Sequence, residues 1–327
     1  MLYAGLDMHK NFCQTIVCTE DGVVIKQGKL PATTEEIGNF FSGLSDVKIA
    51  VEATTCYEYV FDFLEGKGYT VVLSHPLKTR MIAESRIKTD KIDARVLADL
   101  LRANLLPTSY VPPKNIRELR HLVRRRVFLG RLRGRLKNRI HAELIRRGLR
   151  YDDGDLFVKD GVQWLHSLNI PAVESYLVAM GPINVEIRAL EKEIRSEGLK
   201  YKEVRHLVTV YGIGFYSAVI IFSEIGDVNR FRSEEKLFSY AGLIPSVRQS
   251  GEHKYHGSIT KVGSKHLRWI LVEAVRVHLR HNPDSKLTLY YKRLRRKKPD
   301  NVAVIATARK LLQIIYHMLK NDKDYRG

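Results

Sequence analysis

The first hundred residues change their periodicity once, and that change limits the folds open to the chain. Leu2 to Asp7 (Leu-Tyr-Ala-Gly-Leu-Asp) is an apolar run too short for a stable helix, and Phe12 to Thr19 is a second run rich in β-branched residues. Glu20-Asp21-Gly22 supplies a hairpin turn into a third strand, Val23 to Leu30. Thr33-Thr34-Glu35-Glu36 then opens a helix with a Ser/Thr-x-x-Glu-like cap. From there strand and helix alternate: Lys48 to Glu52, Tyr57 to Leu64, Tyr69 to Leu73, and a closing helix over Asp90 to Leu101. An antiparallel meander followed by alternation predicts a mixed sheet covered by helices.

That element order is the order of the ribonuclease H-like, or RuvC-like, α/β fold. Fold alone does not fix function, so the acids have to decide it. Asp7 ends the first strand and Glu52 the fourth, which are neighbours in that fold. Asp90 and Asp93 sit three apart at the start of the closing helix, on one helical face. Four carboxylates gathered at one sheet end repel one another, and bound divalent cations reverse that penalty. Oxygen-rich sites suit Mg2+, for which Mn2+ can stand in, and such ions stabilise the oxygens of a phosphoryl displacement. His9, Lys10 and Lys88 lie beside these acids, either as phosphate contacts or as local charge compensation.

The formal charge of +19 over 327 residues points to a polyanionic partner, nucleic acid ahead of membrane. Much of the surplus is concentrated. After Pro107 and Pro112-Pro113, Lys114 to Arg150 reads as a long helix with Leu122, Leu129, Leu132, Leu136, Ile140 and Leu144 as an apolar seam. Its other faces carry Arg120, Arg124, Arg125, Arg126, Arg131, Arg135 and Arg139, candidates for a phosphate backbone. Gly130 and Gly134 either weaken this helix or permit a close helix crossing. Tyr151 to Ser167 reads as a link, and Pro171 to Gly198 as a second helix with a kink or break near Gly181-Pro182. The two long helices are expected to pair, within one chain or between two.

Three parts follow: an α/β domain over 1–107, a basic helical coiled-coil segment over 108–200, and a mainly helical part over 201–327. In the last, Gly212-Ile213-Gly214 between two apolar helices resembles a helix-hairpin-helix, a phosphate-holding element or simply a tight corner. Ser250-Gly251 falls in a basic, glycine-containing surround with Lys254, Lys261, Lys265 and Arg268. The three cysteines, Cys13, Cys18 and Cys56, fit no metal spacing and no disulfide framework. No secretory leader and no apolar run of about 18 residues is evident, so a cytoplasmic, nucleoid-associated protein without a membrane is expected.

Taken together the motifs resemble the insertion-sequence transposases with a RuvC-like Asp-Glu-Asp-Asp domain, related to the Piv DNA invertases and including bridge-RNA-guided recombinases. The resemblance is carried by Gly5-Leu6-Asp7-Met8-His9-Lys10, Glu52-Ala53-Thr54, Lys88-Thr89-Asp90-Lys91-Ile92-Asp93-Ala94 and Gly212-Ile213-Gly214. Further along it is carried by Gly242-Leu243-Ile244-Pro245-Ser246, Gln249-Ser250-Gly251 and Ile259-Thr260-Lys261-Val262-Gly263. It implies magnesium on Asp7, Glu52, Asp90 and Asp93, and a serine nucleophile that forms a covalent phosphoserine with DNA. That role falls to Ser250, with Ser246 as runner-up. It also implies donor and target DNA as substrates, a structured guide RNA, and a homo-oligomer, dimer or tetramer, in which one protomer's serine meets another's carboxylates. Two positions depart from the pattern: Thr55 replaces a frequent Gly, and Ser264 a frequent Asn. The alternatives are a metal-dependent nuclease of Holliday-junction type, with water as nucleophile and Ser250 a bystander, and a nucleic-acid-binding protein without catalysis.

Overall fold

The computed structural model describes residues 1–54, 56–82, 89–250 and 253–326, with the backbone alone described at 247–250 and 253–256. Two compact units are present, Met1–Val111 and Pro112–Gly327.

The first unit is a mixed sheet with ribonuclease H-like topology. Its strands are β1 (Leu2–Met8), β2 (Phe12–Cys18), β3 (Val24–Pro31), β4 (Val47–Glu52) and β5 (Thr70–Ser74), and they lie in the order β3-β2-β1-β4-β5. The meander β1-β2-β3 is antiparallel, and β1, β4 and β5 run parallel. Helices α1 (Thr34–Phe41) and α2 (Tyr57–Gly66) share one apolar cluster with Ala4, Leu6, Ile49, Val51 and Leu73. Thr33 caps α1 by accepting from the Glu36 amide, as the sequence pattern requires.

The other sheet face belongs to α4 (Asp90–Arg102), which follows a short helix α3 (Pro76–Ile82). Leu97 and Leu101 pack on Ala50, Val72 and Tyr3. One glycine sets how close α4 comes: a Cβ on Gly5 would lie 2.1 Å from the Ala94 carbonyl oxygen, so only glycine lets the helix rest directly on β1. Arg95 donates to Asp99 and to the Gly22 carbonyl, and Arg102 to the Glu20 carbonyl, which ties the same helix to the β2-β3 turn. Cys13, Cys18 and Cys56 are free thiols, the first two buried.

The second unit is mainly helical. Helix α5 (Lys114–Arg146) pairs with α7 (Pro171–Gly198) in the same chain, and the contacts Arg126–Glu191 and Arg133–Asn184 run in opposite directions along the two, so the pair is antiparallel. One expectation needs correction, and of the kink or break expected at Pro182 the break is absent. Residues 151–167 are not all linker, because α6 (Lys159–Ser167) folds there and buries Leu165 against Ile140, Leu144 and Val173. Helix α7 also runs unbroken through Pro182, whose turn is exposed together with Val178 one turn earlier, so the carbonyl that loses its amide partner faces water. The glycines of α5 do not mark a close crossing: a Cβ on Gly134 would meet nothing within 4 Å, and one on Gly130 only the Arg126 guanidinium of the same helix.

The remaining elements are α8 (Lys202–Val208), α9 (Phe215–Ile225), α10 (Glu234–Ala241), the hairpin strands β6 (Pro245–Ser250) and β7 (His253–Ile259), α11 (Lys265–His281), α12 (Lys286–Arg295) and α13 (Asp300–Lys320). They close a core that includes Val123 and Val127 of α5, Leu190 and Ile194 of α7, and Ile220, Leu271 and Leu312. Helix α13 is, by length and composition, long and apolar enough to cross a membrane despite Arg309 and Lys310, yet its apolar residues Val304, Leu311, Leu312 and Ile315 are buried in this core.

Candidate functional site

The ends of β1 and β4 and the first turn of α4 meet. Asp7 is 4% exposed although it is an acid near the end of a strand. Thr89 caps α4 by accepting from the Ile92 amide, which places Asp90 at the first helical position and Asp93 one turn on. Acids are favourable at a helix N-terminus whatever their function. Here, however, they face other carboxylates.

Asp7 and Glu52 lie within side-chain hydrogen-bonding reach of each other. Burial pushes the Asp7 pKa above its ordinary value; the Glu52 bond and the nearby His9 oppose this, and the like charge of Asp93 raises it further. His9 Nε2 lies 3.1 Å from Asp7 Oδ2 and 3.3 Å from Asp90 Oδ1, with its ring stacked on Phe12. Asp7, His9 and Asp90 offer ligand atoms all within 4.8 Å of one another, a group able to hold a divalent metal ion. Oxygen donors dominate this group, so the residues present fit a hard cation.

All four sequence-expected carboxylates therefore lie at one end of the sheet, with Asp7 in interaction with Glu52 and Asp93 and joined to Asp90 through His9. The sequence allows His9 to be either a phosphate contact or a charge offset, and the structure puts it between two of the acids. A signal for this is present in the sequence: Asp7 and His9 are two apart at a strand end, and alternate strand residues share a face. Lys10 is exposed beside the cluster; Lys88 and Thr55 lie outside the described residues. A cleft of about 460 Å³ opens among Met1, Asp46, Lys48 and Tyr69 at the opposite end of the strands, away from the acids.

In the second unit the basic residues divide into two groups. Arg124 forms a bidentate pair with Glu224, whose side chain has no exposure, while Arg120 donates to the carbonyls of Ser223 and Glu224. Arg126 pairs with Glu191 and covers the Tyr216 ring; burial is the main cause that pushes the Tyr216 hydroxyl up to about 12. Arg125 is exposed and reaches Glu186 and Glu193 only at 3.7 and 3.9 Å. Arg131 lies over Trp269. Arg135 and Arg139 are exposed and have no ion-pair partner among the described residues.

The loop that precedes α11 is built on the same buried acid. Ser264 caps α11 and donates to Glu224 Oε2 at 2.8 Å, so the serine that departs from the family pattern has a structural task. A Cβ on Gly263, at φ +110°, would lie 2.1 Å from the Tyr240 carbonyl oxygen, which explains the glycine of Lys261-Val262-Gly263. Arg268 donates to the Ala241 carbonyl, and Lys261 and Lys265 are exposed. Gly212 packs against α11, where a Cβ would lie 2.6 Å from the Ala274 carbonyl oxygen. The hairpin pairs Ser250 with His253, and the Ser250 side chain lies outside what is described. Ser246 Oγ donates to the Ser258 carbonyl at 3.1 Å.

A ribonuclease H-like sheet with carboxylates gathered at the ends of its first and fourth strands defines a class, the polynucleotide-processing enzymes of that fold. Comparison narrows it. Residues 4–146 match a transposase model of the DEDD, IS110 type, and residues 204–291 match the transposase IS116/IS110/IS902 family. The chain is similar to a probable family 20 transposase of Pseudomonas aeruginosa, 26% identical over 98% of both chains. It is also similar to the transposase for insertion sequence element IS1111A of Coxiella burnetii, 23% identical over 98% of this chain and 90% of that one. A pilin gene-inverting protein of Moraxella lacunata is 29% identical over 86% of this chain and 82% of the relative. The chain belongs to the IS110/IS902 transposase family and carries that family's RuvC-like DEDD domain at its N-terminal end. Its substrate class is accordingly DNA, and its activity that of a transposase or recombinase.

Proposed function

We propose that this transposase breaks DNA phosphodiester bonds in a Mg2+-dependent reaction at Asp7, Glu52, Asp90 and Asp93, with water as the attacking group. The observation that carries the reading is the convergence of Asp7, His9 and Asp90 within 4.8 Å, with Glu52 hydrogen-bonded to Asp7. When bound, a divalent cation supplies charge stabilisation for the phosphate oxygens of an in-line displacement. The four carboxylates hold it, and the acids of α4 are kept in place by the Thr89 cap. His9 Nε2–H donates to Asp7 and holds its oxygen in a fixed direction. Lys10, exposed beside the acids, would meet the incoming phosphate backbone.

A second reading routes the reaction through a phosphoserine on Ser250. It is favoured by the Gln249-Ser250-Gly251 motif and by the hydrogen bond that already occupies the alternative, Ser246. Ser250→Ala separates the two. With water as nucleophile, cleavage by the purified variant stays within a few-fold of the parent; loss of cleavage with metal binding intact overturns the water reading and supports the serine.

DNA, and a structured guide RNA, would be held by the exposed part of α5 and by Lys261 and Lys265. Replacing Arg135 and Arg139 with Gln is expected to weaken duplex binding and to lower the log–log salt slope by about two, roughly 0.9 for each phosphate that is no longer neutralised. An unchanged slope removes that helix from the interface. The reading assigns catalysis to residues 1–107, nucleic-acid binding to 108–200 and transposition-specific functions to 201–327, in a homodimer or homotetramer acting at the nucleoid.

A further inference from the structure

The parallel register of β1, β4 and β5 extends the catalytic row by one residue. Leu6 is the partner of Val51, which sets Asp7 beside Glu52, and Glu52 is the partner of Ser74. Paired residues of parallel strands point to the same sheet face, and neighbouring strands are about 4.8 Å apart. Asp7, Glu52 and Ser74 therefore stand side by side at the ends of three adjacent strands, on the face covered by α4. The strand order puts Asp7 and Ser74 on opposite sides of Glu52.

Ser74 is 0% exposed, and its Oγ has no hydrogen-bond partner among the described residues. Thr54 Oγ1, just beyond β4, shares that condition. A buried hydroxyl without a partner is destabilising, and removal of such a group ordinarily improves a fold. Its position against a carboxylate gives it a use. Ligating carboxylates are oriented by hydrogen bonds from a surrounding shell, and loss of such a donor typically costs 10- to 100-fold in metal affinity.

We propose that Ser74 is a positioning residue: when a divalent cation binds, its hydroxyl, unpartnered among the described residues, turns to donate to the Glu52 carboxylate on the side away from Asp7 and fixes that carboxylate for the cation. The proposal rests on the metal-site reading above. The test is a titration of the full chain with Mn2+, read by the electron paramagnetic resonance signal of the free ion, together with thermal melting in the absence of metal. Ser74→Ala is expected to weaken Mn2+ binding by about 10-fold or more, with an equal or higher melting temperature. Ser74→Thr, which keeps the hydroxyl, is expected to recover most of the affinity, and Thr79→Ala, which removes a buried hydroxyl outside the row, to bind as the parent does. Glu52→Gln is the reference for the site itself. If Glu52→Gln loses Mn2+ while Ser74→Ala binds as tightly as the parent, the Ser74 role is wrong and the metal site stands. If Ser74→Ala loses affinity and melting temperature together, Ser74 is structural and the proposal fails. If the parent binds no Mn2+, or Glu52→Gln binds as the parent does, the metal-site reading itself falls.

Discussion

Asp7→Asn is expected to reduce Mg2+-dependent DNA cleavage by about three orders of magnitude or more, equivalent to roughly 4 kcal/mol of transition-state stabilisation. The expectation comes from the place of Asp7 in the cluster. It is the most buried of the four acids, it interacts with Glu52, it accepts from His9, and it feels the charge of Asp93. An amide in its place removes one ligand charge while keeping the shape. The same change should raise the melting temperature of the metal-free protein, because burial and a like charge make ionised Asp7 unfavourable when no cation is present. Activity lost with stability gained separates a ligand from a merely structural acid, and a cleavage assay paired with calorimetric melting reads both.

The second large effect belongs to the other unit. Glu224 is an acid inside the apolar run Ala-Val-Ile-Ile-Phe-Ser-Glu-Ile of α9, and its charge is held by Nε and Nη2 of Arg124 and by Ser264. Burial alone would raise its pKa; the hydrogen bonds and charge of Arg124, with Arg120 and Ser264, more than offset that and lower it. Arg124→Ala leaves the carboxylate buried with the hydroxyl of Ser264 as its chief remaining donor, which costs about 3–5 kcal/mol. At roughly 2–4 °C per kcal/mol for a unit of this size, melting should fall by on the order of 10 °C. Arg124→Met with Glu224→Leu should recover much of the loss, since a well-packed apolar pair replaces a buried ion pair at little cost.

The sign of the pH dependence follows from the same pair. Glu224 has a folded-state pKa below its unfolded value of about 4.5, so its contribution is complete above that value and is lost as pH falls from there through the folded pKa. Acid melting of the parent should therefore be steeper below about pH 4.5 than that of Glu224→Gln.

Much of the first unit is legible in the sequence, because its signals are local. Short strands with Asp7 and Glu52 at or next to their ends, and a helix that starts with Thr89, Asp90 and Asp93, carry their meaning within a few residues. What escapes a sequence reading depends on partners far away. Glu224 looks like the polar end of an apolar helix until Arg124, 100 positions earlier, is placed against it. The arginines of α5 look like one continuous basic face, yet Arg120, Arg124 and Arg126 are engaged within the chain. Pro182 signals a break by its chemistry, and only the exposure of its turn shows why α7 tolerates it. Ser74 has no motif at all, and the register alone gives it a neighbour.

Whether the four carboxylates hold a divalent cation decides most of this picture, and calorimetric titration of Mg2+ into the parent chain and into Asp7→Asn tests it most directly. Saturable binding is expected for the parent, lost or weakened by at least about 10-fold in Asp7→Asn. Equal binding curves for the two proteins would contradict a carboxylate-held metal.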